Sequence, residues 1–227
     1  MPRPIGAACA EADSAFPKTW PADAASCQDL VSAIDGVVFP LSSRKALRGQ
    51  GVCLGITCGP RGGYLAPKSL DPQWAKIAML ANRVLRNALG SFAFNWSALV
   101  INVDSIAVPH CDSNNSGQSM LLLLGAFSGG AFRYEDSPND TFDKCNRFAL
   151  IDGSRAHSSA PFEGHRISLV YFNHIEYLTT PLTDKYALTA LGFLLGDFDV
   201  KVNKSELRVL YLFAGRPARR TSRTGWR

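Results

Sequence analysis

The chain of 227 residues has no uninterrupted apolar run near the roughly 18–20 residues that a membrane-spanning helix needs, so no membrane partner is expected. Its opening stretch, MPRPIGAACAEADSAF, lacks the apolar core of a secretory signal. The six cysteines, at 9, 27, 53, 58, 111 and 145, include no C-x-x-C pair, which argues against a structural zinc site. They read as an intracellular set of free thiols, with nucleus and cytoplasm not distinguished. No internal repeat is present. An excess of one charge sign is also missing from the body. The net charge of +5 is concentrated in the last 13 residues, GRPARRTSRTGWR, which hold five arginines and no acid; setting these aside lowers the 24 basic residues to 19, equal to the 19 acidic ones. A neutral body offers no evident groove for a nucleic-acid duplex. The tail is either a solvated extension or a nonspecific contact to phosphates.

What is present reads as one domain with extensions. Residues 1–35 are rich in Ala, Pro and Ser and are expected to be a loosely ordered N-terminal segment. The core domain is expected over 36–200, with a C-terminal strand and basic tail over 201–227. GVVFPL (36–41) and GVCLGITC (51–58) read as short strands, and GPRGGY (59–64) as a turn. The clearest helix follows Asp71, a good N-cap, and Pro72, which suits the first helical position. Trp74, Ile77, Ala78, Ala81, Leu85 and Ala88 recur at helical spacing, and Gly90 is a natural stop. From 95 to 173 short Val-, Ile-, Leu- and Phe-rich runs alternate with turn signals such as SNNSG, SPND and DG. That pattern predicts a mainly β fold, a sandwich or barrel with flanking helices. A further short helix is expected after Pro181.

Histidine is scarce, and its four copies, 110, 157, 165 and 174, all lie in the β-rich segment. His110 and Asp112 follow a strand-like run. In extended chain they share a face while Cys111 points away, so Cys111 is expected to be a packed thiol. An open Fe(II) site needs two imidazoles and one carboxylate on one side of the metal. His157 is the best second imidazole, although a lone strand histidine is more often a hydrogen-bonded structural residue. Arg166 and Ser168 share a strand face that Val170 continues. An inward arginine is costly unless an anion meets it, and a guanidinium beside a hydroxyl forms a forked receiver for a carboxylate. RAHSSAPFEGHRISLVYF is read as a hairpin with the imidazole on one strand and the arginine on the next.

This constellation resembles the Fe(II)/2-oxoglutarate-dependent dioxygenases, which carry H-x-D, a distal His and a later Arg on a double-stranded β-helix (a jelly-roll, cupin-like core). PHCDSNNSGQSMLLLLGAFSGGAFRY and FALIDGSRAHSSAPFEGHRISLVYFNH are similar to oxygenase domains of dinoflagellates and related protists, themselves distantly similar to the TET/JBP group. The likeness spans about residues 50–195. It implies that His110, Asp112 and His157 hold Fe(II), that Arg166 and Ser168 bind the far carboxylate of 2-oxoglutarate, and that O2 is consumed, with ascorbate as a potential accessory. Asn114 and Asn115 either orient these groups and the substrate or only shape the loop, with Asn115 the better placed. The His157–Arg166 spacing is one shorter than the commonest one in such domains, and His165 stands where they often have Glu. The implied reaction is hydroxylation of a C–H bond, with a methylated base in nucleic acid, a protein side chain such as proline, or a small metabolite as substrate. The readings in competition are a metal enzyme that does not use 2-oxoglutarate and a non-catalytic β-barrel module working through its basic tail. RVLYLFAG (208–215) reads as an edge strand, with a weaker resemblance to the first strand of a methyltransferase.

Overall fold

The computed structural model describes Phe16 and residues 18–196. The expectations for 1–15, for the basic tail and for RVLYLFAG therefore lie outside the described residues. In chain order the elements are β1 (Thr19–Pro21), α1 (Ala24–Asp35), β2 (Leu47–Gly59), β3 (Gly62–Leu65), α2 (Pro72–Leu89), β4 (Ala98–Ala107), β5 (Asn115–Gly129), β6 (Phe132–Tyr134), β7 (Ser137–Phe142), β8 (Arg147–Ile151), β9 (His157–Ser159), β10 (Phe162–His174) and α3 (Leu182–Ala190). Seven strands form one sheet in the order β1-β8-β5-β10-β4-β2-β3, and three form a second, β7-β6-β9. Every strand pair is antiparallel.

The apolar run in β5 explains how the layers assemble. Leu121 and Leu123 pack with Phe132, Tyr134, Phe142, Ala149 and Ile151 between the two sheets, with Phe16 joining them. By strand alternation Leu122 and Leu124 face the other way, and they too are fully buried. Helices cover that other face: α1 packs on β5, and the Tyr171 hydroxyl of β10 donates to the Ala81 carbonyl of α2 at 2.9 Å. A strand buried on both faces needs no polar alternation, which is why MLLLL reads as continuous.

α2 begins as its sequence dictates. The Asp71 carboxylate accepts from Gln73 N at 3.1 Å, Pro72 occupies the first turn, and Gly90 closes the helix. Trp74, Ile77, Ala78, Ala81 and Leu85 are buried as the stripe requires. Asn82 lies on the same buried face without cost, because it accepts from Trp96 Nε1 (2.8 Å) and donates to the Leu191 carbonyl (2.9 Å).

Several expectations are corrected. The segment 1–35 is not loosely ordered throughout, since β1 pairs with β8 and α1 is capped by Asp23, whose carboxylate accepts from Ser26 N at 2.7 Å. Residues 36–41 form no strand beyond a single bridge, Leu41 to Gln50. The SPND turn signal lies within β7, an edge strand, where proline is tolerated. Most consequentially, β9 and β10 are not a hairpin: β9 pairs with β6, whereas β10 pairs with β4 and β5. The chain crosses between the sheets at 160–161, beside the earlier crossing at 130–131. Ala160 N donates to the Ala131 carbonyl and Gly130 N to the Pro161 carbonyl, both at 2.9 Å. His157 and Arg166 thus come from different sheets.

Candidate metal centre and its two chambers

His110 and His157 are a backbone-paired couple. His110 N donates to the His157 carbonyl at 3.0 Å, and His157 N to the His110 carbonyl at 2.9 Å. This bridge ties the end of the β4 segment to β9 and sets the imidazoles side by side, with centroids 4.4 Å apart. Asp112 N donates to the Gly153 carbonyl at 2.8 Å, which turns the carboxylate toward the same point. His110 Nε2 lies 3.7 Å from Asp112 Oδ1, and His157 Nε2 lies 3.8 Å from Oδ2. Three ligand atoms from these residues fall within 4.8 Å of one another.

Both rings use the same local device. His110 Nδ1 lies 2.8 Å from the Val108 carbonyl and His157 Nδ1 lies 2.8 Å from the Arg155 carbonyl. A carbonyl only accepts, so each Nδ1 carries a proton, and in the neutral form of each ring Nε2 has the free lone pair a metal needs. Burial holds the His157 imidazole below its ordinary value, with Asp112 pulling the other way, so it stays neutral as a ligand must. The carboxylate is steadied from two sides: Arg44 Nη2 donates to Oδ1 at 2.8 Å and Asn115 Nδ2 to Oδ2 at 3.3 Å. Gly153 leaves room for this, since a Cβ there would stand 3.0 Å from Asn115 Nδ2 and 3.2 Å from Asp112 Oδ2.

On one side of the cluster lies an inner chamber of about 60 Å³, lined by Asn102, Leu121, Phe132, Arg166 and Ser168 among others. That is room for several water-sized groups. Residues 166, 168, 170 and 172 of β10 face the site in alternation, while Ile167, Leu169 and Tyr171 are fully buried beneath them. Arg166 is only 4% exposed, and among the described residues its guanidinium makes no hydrogen bond; Nε is buried without a partner. The rings of Phe127 and Phe162 stand 5.6 and 5.7 Å from it. Gly130 leaves its stem space, because a Cβ there would lie 2.8 Å from Arg166 Cδ. Burial lowers its pKa to about 10. Beside it Ser168 Oγ accepts from Asn102 Nδ2 at 3.2 Å, leaving the hydroxyl proton for another acceptor, and Asn102 Oδ1 is buried without a partner. The guanidinium and the Ser168 hydroxyl are the donors that fit a carboxylate, and the Asn102 oxygen, an acceptor, is not one of them.

Adjoining it at Arg44, Asp112 and Val170 is an outer chamber of about 340 Å³. Cys53, Val100, Val170 and Phe172 give it an apolar floor, and Thr57, Asn114, Asn115 and His174 a polar wall. Cys53, Val100 and Val170 are direct cross-strand partners on β2, β4 and β10, so sheet register builds the floor. His174 was not singled out from the other histidines by sequence, because only the fold shows that it lines this space. Its Nδ1 accepts from Glu176 N at 3.1 Å, which leaves the proton of the neutral ring on Nε2. The ring is 3% exposed, and burial lowers its pKa. It is therefore a neutral donor, the opposite tautomer from His110 and His157.

The remaining sequence candidates are placed as follows. Asn115 bonds both Asp112 and Ser119 Oγ (3.0 Å), whereas the exposed Asn114 receives Ile175 N on its backbone carbonyl at 3.0 Å. Cys111 is exposed at the outer chamber's rim, which corrects the packed-thiol expectation. His165 points away from the centre and bridges Asp104 and Asp35, at 3.0 Å from each. Arg44 carried no sequence signal, since it reaches the site from an irregular segment 68 positions before Asp112.

No family profile matches the sequence, and no curated protein does. Solved structures are similar in fold. An oxidoreductase of the 2OG-Fe(II) oxygenase family from Burkholderia pseudomallei is 19% identical, with 66% of this chain and 79% of that one covered and a TM-score of 0.50. NgTET1 in complex with 5mC DNA is 17% identical, covering 82% and 74%, with a TM-score of 0.47. OsALKBH1 is 10% identical, covering 66% and 91%, with a TM-score of 0.40. No helix among the described residues is long and apolar enough to cross a membrane. The chain has a mainly β, double-stranded β-helix fold similar to that of the Burkholderia pseudomallei protein, and a His-Asp-His cluster lines its inner chamber.

Proposed function

We propose that the protein is an Fe(II)- and 2-oxoglutarate-dependent dioxygenase that hydroxylates a C–H bond. The observation that carries this reading is Arg166, buried in the chamber that the His110–Asp112–His157 cluster lines, with its Nε unpartnered and its guanidinium without a hydrogen bond among the described residues. An uncompensated buried charge is expensive, and a carboxylate ligand supplies the missing partner. His110, Asp112 and His157 would hold the iron, and Arg166 with Ser168 the far carboxylate of 2-oxoglutarate. When bound, that pair and O2 supply the oxidising power, with 2-oxoglutarate converted to succinate and CO2.

The chain's own residues do the rest. The backbone bridge between His110 and His157 fixes the spacing of the two imidazoles. Arg44 and Asn115 orient the Asp112 carboxylate. The outer chamber admits the substrate over an apolar floor, and His174 Nε2–H donates to a neutral acceptor on it. A methylated base, which carries ring-nitrogen and carbonyl acceptors as well as its methyl group, matches floor and donor together. A prolyl side chain matches the floor and must use its peptide carbonyl for the donor. A metal enzyme without 2-oxoglutarate leaves Arg166 unexplained.

Anaerobic titration with Fe(II) and 2-oxoglutarate tests the reading. The wild type should develop a metal-to-ligand charge-transfer band, and succinate should form once O2 is admitted. His157→Ala should lose the band. Equal intensity in both proteins would remove His157 from the site.

A further inference from the structure

Arg44 belongs to no strand, yet it reaches the centre of the site. Its backbone is held in place: Arg44 N donates to Ser42 Oγ at 3.2 Å, and its carbonyl accepts from Leu47 N at 3.1 Å. Its side chain, 40% exposed, bonds Asp112 Oδ1 at 2.8 Å and lines both chambers. Among the residues lining the two chambers, Asp112 is the sole carboxylate, against two guanidinium groups: Arg44, which bonds it, and Arg166, which lines the inner chamber. The site is thus electropositive before any ligand arrives, and its one anion is already engaged.

We infer that Arg44 is a positioning residue that makes cation and dicarboxylate binding interdependent, opposing a divalent cation at the His110–Asp112–His157 cluster and favouring a dianion beside it. This rests on the functional reading above. A divalent cation that takes up Asp112 displaces the Arg44 guanidinium from it, and the freed guanidinium can then pair with a dicarboxylate. A dicarboxylate is attracted by both arginines and by the cation. Each ligand therefore helps the other, and linkage requires the factor to be the same in both directions. Because Arg44 is partly exposed, solvent tempers its field, and the expected effect is about five- to tenfold.

A purely orienting role predicts the opposite sign. If Arg44 only steadied the carboxylate, its removal would weaken cation binding. Calorimetric titration of the full chain with Co(II), with and without 2-oxoglutarate and without O2, separates the two. The proteins are wild type, Arg44→Gln, which keeps an amide donor but drops the charge, and Arg44→Lys, which keeps the charge. Arg44→Gln should bind Co(II) alone more tightly and 2-oxoglutarate more weakly, and the mutual enhancement should shrink by about five- to tenfold. Arg44→Lys should stay close to wild type. Unchanged or weaker Co(II) binding by Arg44→Gln would overturn the inference while leaving the oxygenase reading in place. A wild-type protein that takes up no Co(II) at all would overturn both.

Discussion

Replacing Arg166 with Met should make the ligand-free protein more stable while ending its use of 2-oxoglutarate. The guanidinium is 4% exposed and has no hydrogen-bond partner among the described residues. Burial brings its pKa down to about 10, so at neutral pH the folded state holds the proton less favourably than the unfolded chain does. The sign is therefore destabilising at every pH below about 10, fading as pH rises toward the unfolded value. The shift corresponds to roughly 3 kcal/mol. Contacts with the Phe127 and Phe162 rings, at 5.6 and 5.7 Å, return about 0.5–1 kcal/mol each. Met fills similar space without charge, so the net gain is about 1–2 kcal/mol. For a chain of this size that raises Tm by roughly 2–8 °C. Thermal unfolding of both proteins, with and without 2-oxoglutarate and Co(II), reads the result. With Co(II) present in both samples, adding saturating 2-oxoglutarate should raise the wild-type Tm further and leave Arg166→Met unmoved. If Arg166→Met melts below wild type without ligand, the guanidinium has a partner in the fold, and the argument from an orphaned charge fails.

Other expectations follow from the same geometry. Asn115→Ala removes one of the two donors on Asp112 and should weaken Co(II) binding by about 10- to 100-fold, measured by direct titration. Long-range 15N–1H correlation spectra should show His174 protonated on Nε2 at neutral pH, and an Nδ1-protonated ring would remove it as a substrate donor. For His165, burial pulls the pKa down but Asp104 and Asp35 outweigh it, and the net shift is upward. The stability this ion cluster contributes is therefore full below the unfolded value of about 6.5 and is lost as pH rises through the folded pKa. His165→Gln should flatten the Tm profile across that window; a profile identical to wild type would show that the cluster adds nothing. Asp71→Ala should lower stability by about 1 kcal/mol in denaturant unfolding, as loss of the α2 cap.

Where local chemistry decides the structure, the sequence was readable. The cap, proline and stripe of α2 each act within one or two turns, and the long strands β4, β5 and β10 are apolar enough to announce themselves. The face shared by Arg166 and Ser168 follows from alternation alone. What could not be read depends on distant partners. β1 and α1 have weak intrinsic signals and gain order from β8 and from packing on the major sheet. β7 looks like a turn until β6 supplies its partner. His157 and Arg166, nine positions apart, suggested a hairpin, because nothing between them signals a change of sheet; the crossing is fixed by residues 130–131. Arg44 and the orphaned Asn102 Oδ1 leave no local trace at all.

The alternation along β10 has a consequence for how such a protein can diverge. One side of that strand is its chemistry and the other its foundation, so inserting or deleting a single residue would exchange them, driving Tyr171 and Leu169 into the cavities and a guanidinium under the helices. New specificity must come by replacing side chains where they stand. The irregular stretch before β2 has no alternation to preserve, so it tolerates a change of length as long as Arg44 still reaches Asp112, and related chains should differ more there than along β10.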